Sequence, residues 1–211
     1  MIQLEALTLG YGQQILLDHV SANLDGGGLI ALLGRNGSGK STLLRATAGL
    51  GTIKSGRILL AGKDLAELRP EELARTVSFV TTEKVRIPNL KCRDVVALGR
   101  APYTNWVGRL QPQDREIVAK SLALLDMSAY AERTMDQMSD GECQRIMIAR
   151  ALTQDTPIIL LDEPTSFLDL PNRYELGILL QHLAHKQNKF ILFSTHELDI
   201  ALTLCDSIAL I

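Results

Sequence analysis

The chain has 211 residues, of which 46% are hydrophobic, so one sizeable core is possible and a second domain is not required. Its formal net charge of −2 gives no overall attraction for nucleic acid, and we expect no nucleic-acid partner. Neither a signal peptide nor an apolar run as long as a membrane span is visible, so the sequence predicts a cytoplasmic chain.

Glycines divide the first apolar segments of the chain. Breaks at residues 10–12 and 26–28 bound runs rich in leucine, isoleucine and valine, which predicts antiparallel strands joined by a glycine turn. Tyr11 lies in that turn. Taken alone, it is best explained as an ordinary turn aromatic. Its position ahead of the next motif leaves open a second interpretation, a ring that stacks on a base.

The strongest motif follows an apolar run at residues 29–33, and the pattern predicts a buried strand, a glycine loop and the start of a helix. Glycines allow successive backbone N–H groups to surround an anion, and the helix adds the positive end of its dipole. Lys40 supplies a mobile charge for the outer phosphates, and the Ser41 hydroxyl can bind Mg²⁺. The sequence therefore predicts a nucleotide-binding loop made of Gly34, Arg35, Asn36, Gly37, Ser38, Gly39, Lys40, Ser41 and Thr42.

The middle third of the chain changes character. Residues 55–63 resemble another hairpin strand, Pro70 opens a short helix, and residues 76–80 form a strand candidate. From 83 to about 112, glycines and prolines interrupt short apolar pieces, and a helix with a core-facing stripe is predicted at 113–127. We interpret this region as a helical subdomain inserted into a nucleotide-binding core.

A capping box precedes the next amphipathic helix. Ser139 lies three residues before Glu142, the spacing at which the two side chains cap each other's backbone N–H groups. Alone, this structural interpretation is the better one. The functional alternative is a glycine-containing helix N-terminus that presents N–H groups to an anion.

Two acidic residues follow an apolar run at 157–161. The run does not alternate, which predicts a strand buried on both faces of a parallel sheet, and α/β sheets bind ligands at the carboxyl ends of their strands. Adjacent acids are commonly a solvated turn. After a phosphate loop we favour Asp162 as a holder of Mg²⁺ through its water shell and Glu163 as a base that polarises water.

Another buried strand, at 189–195, ends at His196. Its end should meet the edge that carries Asp162, where the imidazole could donate a hydrogen bond to a terminal phosphate. The other histidines are predicted to be solvated helix residues at His182 and His185 and a strand or loop residue at His19.

The order of these motifs, with the loop 166–169 between Glu163 and His196, resembles the ATP-binding subunit of an ABC transporter. The resemblance covers essentially the whole chain. It implies an α/β fold of the P-loop NTPase class, with a mostly parallel core sheet, an N-terminal antiparallel β portion and an inserted helical subdomain. We accordingly divide the chain into a core at 1–82 and 153–211 and a helical subdomain at 83–152. Members of the family normally continue past the position of Ile211, so we expect a truncated C-terminus.

The same resemblance implies ATP and Mg²⁺ as ligands and ATP hydrolysis as the activity. Tyr11 would stack on adenine, Lys40 and Ser41 would contact the phosphates and Mg²⁺, Glu163 would be the catalytic base, and His196 would contact the γ-phosphate. A second copy would pair head to tail as a homodimer. The nucleotide held by each copy would then also be bound by the signature residues of the other copy, which are Ser139, Asp140, Gly141 and Glu142.

Some positions depart from the family pattern. A glutamine that binds Mg²⁺ usually follows the strand near residue 80, and here that position falls on Thr82, with Glu83 beside it. Either side chain could supply an oxygen instead. The predicted metal ligands are therefore Ser41, Thr82 and Asp162, with Glu83 as an alternative to Thr82. Asp140 and Glu142 replace the usual glycine and glutamine of the signature.

Residues 95–103 resemble a segment of importers of iron chelates, haem and cobalamin. Such a subunit would lie on the inner face of the cell membrane, bound to transmembrane permease subunits and working indirectly with a substrate-binding protein. The structural interpretation of the segment is a helix ended by Gly99 and followed by a proline turn. Two alternatives stay open: an ATPase of another transport class, and an ATP-binding regulatory module with little turnover.

Overall fold

The computed structural model describes residues 1–25, 28–83, 87–104, 108–166 and 168–211. Its described strands form two sheets. The antiparallel sheet has the spatial order β2 (Gln14–Leu24), β1 (Ile2–Tyr11), β4 (Ile53–Leu60) and β5 (Lys63–Asp64). The parallel sheet has the order β6 (Val77–Val80), β7 (Ile158–Leu161), β8 (Phe190–Thr195), β3 (Gly28–Leu33) and β9 (Ser207–Leu210). The predicted fold class is confirmed.

Helices connect and cover these strands. They are α1 (Lys40–Thr47), α2 (Pro70–Thr76), α3 (Cys92–Ala97), α4 (Pro112–Leu124), α5 (Asp140–Thr153), α6 (Leu170–Lys186) and α7 (Leu198–Leu204). Short 3-10 turns lie at Leu65–Glu67, Leu98–Tyr103, Ser128–Tyr130 and Met135–Gln137. In the described parts of the chain, no helix is both long and apolar enough to cross a membrane. The predicted breaks at Gly26 and Gly27, and Phe167 of the predicted loop, lie outside the described residues.

The parallel sheet is apolar on both faces, as its unbroken hydrophobic runs predict. In β3, Leu29 and Ala31 pack into one hydrophobic cluster with α5 and α6, whereas Ile30 and Leu32 pack into another with α1 and the antiparallel sheet. Burying one such leucine or isoleucine side chain stabilises the fold by roughly 1.5–3 kcal/mol. Both faces are thus covered by other elements, which leaves the carboxyl ends of the strands as the place where polar groups gather.

A bulge in β1 explains its unusual leucine spacing. Leu4 and Leu7 are three residues apart, so strict alternation would place them on opposite faces, yet both are buried. The register shifts between them, and Ala6 there has a left-handed φ of 44°. A bulge adds one residue to a strand and so returns the next leucine to the buried face. Gly56 accommodates it, because a Cβ at that position would lie 2.3 Å from the Ala6 carbonyl oxygen.

Helix α4 begins earlier than predicted. Pro112, predicted to be a break, is the first residue of the helix, where its missing N–H costs nothing. Asp114 accepts a hydrogen bond of 2.8 Å from the Gln111 backbone N–H and so caps the start. Of the predicted apolar stripe, Val118, Leu122 and Leu125 are buried.

The segment 95–103 is organised around a buried charge. Arg100 donates from Nε to Asp114 Oδ1 at 2.8 Å and from Nη1 to the Thr153 carbonyl at 3.1 Å, and its guanidinium lies 3.9 Å from the centre of the Tyr103 ring. The interpretation of Gly99 as a helix terminator is wrong, because α3 ends at Ala97 and passes into the 3-10 turn. Gly99 instead permits a close approach, since a Cβ there would lie 2.3 Å from the Arg150 carbonyl oxygen.

Candidate functional site

The predicted phosphate loop connects β3 to α1 at the carboxyl edge of the parallel sheet. Helix α1 begins at Lys40 with Gly39 as its N-cap, and no side chain caps it. Gly39 has φ 102° and Gly37 has φ 82°, which are left-handed conformations that glycine adopts without a Cβ penalty. The first N–H groups of α1 have no partner within the helix, so this end can bind an anion.

Lys40 is held inside the loop although it is charged. Its side chain is 4% exposed, and Nζ donates to the carbonyl oxygens of Gly34 at 2.8 Å and Arg35 at 3.1 Å. The Glu163 carboxylate lies 3.8 Å from Nζ. The ammonium is therefore oriented by groups on both sides of the loop.

The pair predicted to hold Mg²⁺ is in direct contact. Ser41 donates from Oγ to Asp162 Oδ1 at 2.9 Å, and Asp162 is buried. The Asp162 backbone N–H donates to the Val80 carbonyl at 2.9 Å, which fixes the residue at the end of β7. Mg²⁺ prefers oxygen ligands and keeps several waters, so a hydroxyl and a carboxylate are a suitable donor set.

The third predicted metal ligand has another partner in the structure. The Thr82 hydroxyl donates to the backbone carbonyl of Asp162 at 2.9 Å. The Glu83 carboxylate, the alternative donor, is 75% exposed and pairs with Arg45 at 2.9 Å. Thr82 thus lies against the site through the backbone of Asp162, and a metal-binding role for its side chain stays a prediction.

Glu163 and His196 meet at the ends of neighbouring strands. The Glu163 carboxylate lies 4.0 Å from His196 Nδ1, and the two side chains are 22% and 49% exposed. Glu163 has a left-handed φ of 45°, and its backbone N–H donates to Ser194 Oγ at 2.8 Å. A carboxylate beside both the loop lysine and a histidine can accept a proton from a water held between them.

A cavity of about 290 Å³ opens over the loop. Tyr11 lines it and is 63% exposed, and its hydroxyl lies 3.4 Å from Thr42 Oγ1. The structure therefore brings the predicted aromatic next to the loop. The other lining residues are Leu16, Asn36, Gly37, Gly39, Lys40, Ser41, Thr42 and Glu163.

Comparison with known proteins agrees with this geometry. The family model described as ABC transporter matches residues 17–166. An uncharacterised ABC transporter ATP-binding protein of Methanocaldococcus jannaschii is 40% identical over 211 residues, which is 100% of this chain and 73% of the relative. This chain belongs to the ABC transporter family.

Other ABC transporter proteins match over similar lengths. The petrobactin import ATP-binding protein of Bacillus anthracis is 35% identical and covers 100% of this chain and 77% of its own length. Among solved structures, an inward-facing ABC transporter assigned to the metal-chelate type has a TM-score of 0.86 at 29% identity, covering 99% of this chain and 78% of that one. A dimeric ATP-binding cassette in a post-hydrolysis state, bound to ADP and Pi, has a TM-score of 0.86 at 27% identity, covering 100% and 94%. This chain is accordingly an ABC ATPase.

Ser139 and Glu142 form the predicted capping box at the start of α5. The Ser139 hydroxyl accepts from the Glu142 N–H at 3.3 Å, and Glu142 Oε2 accepts from the Ser139 N–H at 2.8 Å. Hydrogen bonds from the Ser139 backbone and hydroxyl lower the pKa of Glu142. Within the described range 108–166, neither these two residues nor Asp140 and Gly141 line the cavity at Tyr11 and the loop.

A buried residue beside Asp162 was not predicted as part of the site. Ser194 lies in β8, is fully buried, and donates from Oγ to Asp162 Oδ1 at 2.7 Å. The signal available in the sequence was a hydroxyl in an apolar strand, two residues before His196. Such a serine has many uses, and only the pairing of β7 with β8 shows which group it contacts.

Proposed function

We propose that this ABC ATPase binds Mg²⁺ and ATP on residues 34–42 and uses hydrolysis to power a membrane importer of an iron chelate, haem or cobalamin. The observation that carries the proposal is the meeting of Lys40, the Ser41–Asp162 pair, Glu163 and His196 at one edge of the parallel sheet. These are the charges, donors and base that phosphoryl transfer to water requires.

Each of these groups has a proposed task. Lys40 and the N–H groups at the start of α1 bind the outer phosphates, and Tyr11 packs on adenine. When bound, Mg²⁺ neutralises phosphate charge, and Ser41 and Asp162 would hold it. Glu163 accepts a proton from the attacking water, and His196 donates a hydrogen bond to the γ-phosphate.

Import is supported by the relatives. Besides the petrobactin import protein, the iron(3+)-hydroxamate import ATP-binding protein of Bacillus subtilis is 34% identical over 93% of this chain. The segment 95–103 also resembles this group. We infer transmembrane permease partners, which would place the chain on the inner face of the membrane, and an indirect link to a substrate-binding protein.

A homodimer would complete the nucleotide site. The dimeric cassette bound to ADP and Pi is similar to this chain over its whole length. We propose that Ser139 and Gly141 of each copy face the γ-phosphate bound by the other, with Asp140 and Glu142 beside them in the same nucleotide-binding segment. The capping box fits this role, because it orients the N-terminus of α5.

In the proposed domain division, the helical subdomain is the part that moves relative to the nucleotide-binding core. The core at 1–82 and 153–211 would carry the loop, and the helical subdomain at 83–152 would carry the signature. Arg150 of α5 donates to the Phe79 carbonyl at 2.9 Å, so the two parts touch beside the end of β6. ATP-driven closure would move the subdomain and push on the permease.

The Glu163→Gln variant tests this function. Loss of the base should stop turnover and trap the closed state, so the mass in solution should shift from monomer to dimer only when Mg²⁺ and ATP are added together. Glu116→Gln, which changes an exposed residue of α4, should keep wild-type turnover and show no trapped dimer. Turnover unaffected by Glu163→Gln would contradict the base assignment.

The engagement of Thr82 with the Asp162 backbone favours a second candidate, a regulatory module that binds ATP with little turnover. Wild-type protein that binds ATP but neither hydrolyses it nor dimerises, alone or with its permease, would support this candidate.

A further inference from the structure

Ser194 connects two residues of the site that have different tasks. Its Oγ donates to Asp162 Oδ1 at 2.7 Å and accepts from the Glu163 backbone N–H at 2.8 Å. The side chain is fully buried, so water does not compete for either bond. A serine hydroxyl has one proton and two lone pairs, and here the proton is directed to the carboxylate and a lone pair to the N–H.

Glu163, whose backbone N–H donates to Ser194, has an unusual backbone conformation. Glu163 has φ 45°, a left-handed conformation that is unfavourable for a residue with a Cβ. Such a conformation persists where the surroundings hold it. The hydrogen bond to Ser194 is one such restraint, and it acts on the N–H that precedes the Glu163 Cα.

Asp162 is restrained at the same time from the other side. Its Oδ1 accepts from both Ser41 at 2.9 Å and Ser194 at 2.7 Å. The single oxygen atom Ser194 Oγ therefore restrains two groups. One is the Asp162 carboxylate, which faces the loop, and the other is the backbone N–H of Glu163.

We propose that Ser194 is a positioning residue for ATP hydrolysis, which aims the Glu163 carboxylate at the attacking water by holding the Asp162–Glu163 peptide in its left-handed conformation. The inference rests on the proposed role of Glu163 as the base. Ser194 lies within β8 and would affect the reaction only through its hydrogen bonds to Asp162 and Glu163.

The test is steady-state kinetics of Ser194→Ala in the full chain, under the conditions in which the wild type hydrolyses ATP. Removing the hydroxyl frees the Glu163 peptide, and a displaced base costs up to about 100-fold in rate, so we expect kcat to fall roughly 10-fold to 100-fold. KM for ATP and the Kd for ATP should change by less than about threefold, because the loop that binds the phosphates is unaltered and Asp162 keeps its hydrogen bond from Ser41.

Ser78→Ala is the matched control. Ser78 is also a buried serine of the parallel sheet, and its Oγ accepts a hydrogen bond from Thr156 at 3.1 Å. Ser78→Ala should lower Tm by no more than Ser194→Ala does, because Ser194 also donates to a carboxylate, and it should keep kcat within about twofold of wild type. If Ser194→Ala does not fold, Ser194→Cys, which keeps the size but donates weakly, is measured against the same criteria.

A double variant separates positioning from general damage. Added to Glu163→Gln, the Ser194→Ala change should lower residual single-turnover hydrolysis by less than about twofold, because the group it positions is already gone. An equal loss in both backgrounds, or a kcat for Ser194→Ala within about twofold of wild type, would overturn the inference. If Glu163→Gln alone keeps its turnover, the proposed function fails first.

Discussion

The Lys40 ammonium is held in place by several contacts within the loop. The ammonium is buried against the carbonyls of Gly34 and Arg35 and lies 3.8 Å from Glu163. These contacts hold a full positive charge where the phosphates would bind, and a charged donor contributes more to binding than a neutral one.

Lys40→Ala should weaken ATP binding about 100-fold, because losing hydrogen bonds to a charged group costs roughly 3 kcal/mol. Binding of a fluorescent ATP analogue at equilibrium measures this. Lys120→Ala, an exposed change on α4, is the control and should bind as the wild type does. Retained tight binding by Lys40→Ala would exclude residues 34–42 as the phosphate site.

Residues with local signatures could be predicted, and residues defined by long-range contacts could not. The loop glycines, the capping box of Ser139 and the acids at the end of β7 follow from chemistry within a few positions. Ser194 and Asp162 are 32 positions apart, and Thr82 and Asp162 are 80 apart. Their hydrogen bonds depend on strand order, which a single sequence does not reveal.

At the scale of elements, the buried ion pair of Arg100 and Asp114 joins the 3-10 turn Leu98–Tyr103 to the start of α4. Asp114→Asn should destabilise the protein by about 3 kcal/mol, since it leaves a buried guanidinium without its counter-charge. Denaturant unfolding measures the loss. The double change Arg100→Met with Asp114→Leu should recover part of it, because replacing both charges removes their desolvation cost, although the hydrogen bonds to the Gln111 N–H and the Thr153 carbonyl are lost. A double variant no more stable than Asp114→Asn would contradict this account.

The pH dependence of this pair has a definite sign. Burial raises the pKa of Asp114, but the Gln111 N–H and the Arg100 guanidinium lower it by more, so the folded pKa lies below its ordinary value. The stabilisation is therefore complete above the unfolded pKa and is lost as pH falls through the folded one. The Tm difference between wild type and Asp114→Asn should stay constant from about pH 7 to 5 and shrink below about pH 4.

Most helices and strands could be predicted from the periodicity of apolar residues. Their first and last residues could not, because these depend on local backbone conformation and on contacts with distant residues. The apolar runs of β3, β7 and β8 identified a parallel sheet. The bulge at Ala6 and the early start of α4 at Pro112 were not predicted, because each depends on a local backbone conformation. Gly99 was misjudged for a related reason: the contact that requires glycine is with α5, far along the chain.

At the scale of the whole molecule, the proposed dimer predicts a specific pattern of complementation. Lys40→Ala and Ser139→Glu should each be inactive, the second because its carboxylate would repel the partner's γ-phosphate. Mixed together, they should regain hydrolysis, because a mixed dimer pairs one intact loop with one intact signature. Phosphate release from the mixture measures the gain.

The control uses the same substitutions in one chain. A Lys40→Ala, Ser139→Glu double variant mixed with wild type forms mixed dimers in which neither site has both parts intact. These should add no activity beyond that of wild-type dimers. Hydrolysis by Ser139→Glu alone at the wild-type rate, with no gain on mixing with Lys40→Ala, would mean that each copy hydrolyses ATP by itself.

The strand order also bears on how the protein is made. β3, which leads into the loop, lies between β8 and β9, although it precedes both by most of the chain. During synthesis the N-terminal part emerges first, so β3 leaves the ribosome with both of its sheet partners still untranslated. Its apolar faces and unpaired edges then remain exposed until the last strands appear. A ribosome stalled before β8 would therefore carry a chain that has the entire phosphate loop but lacks the strands that pair with β3. We expect chaperones to bind such a chain through its exposed apolar residues.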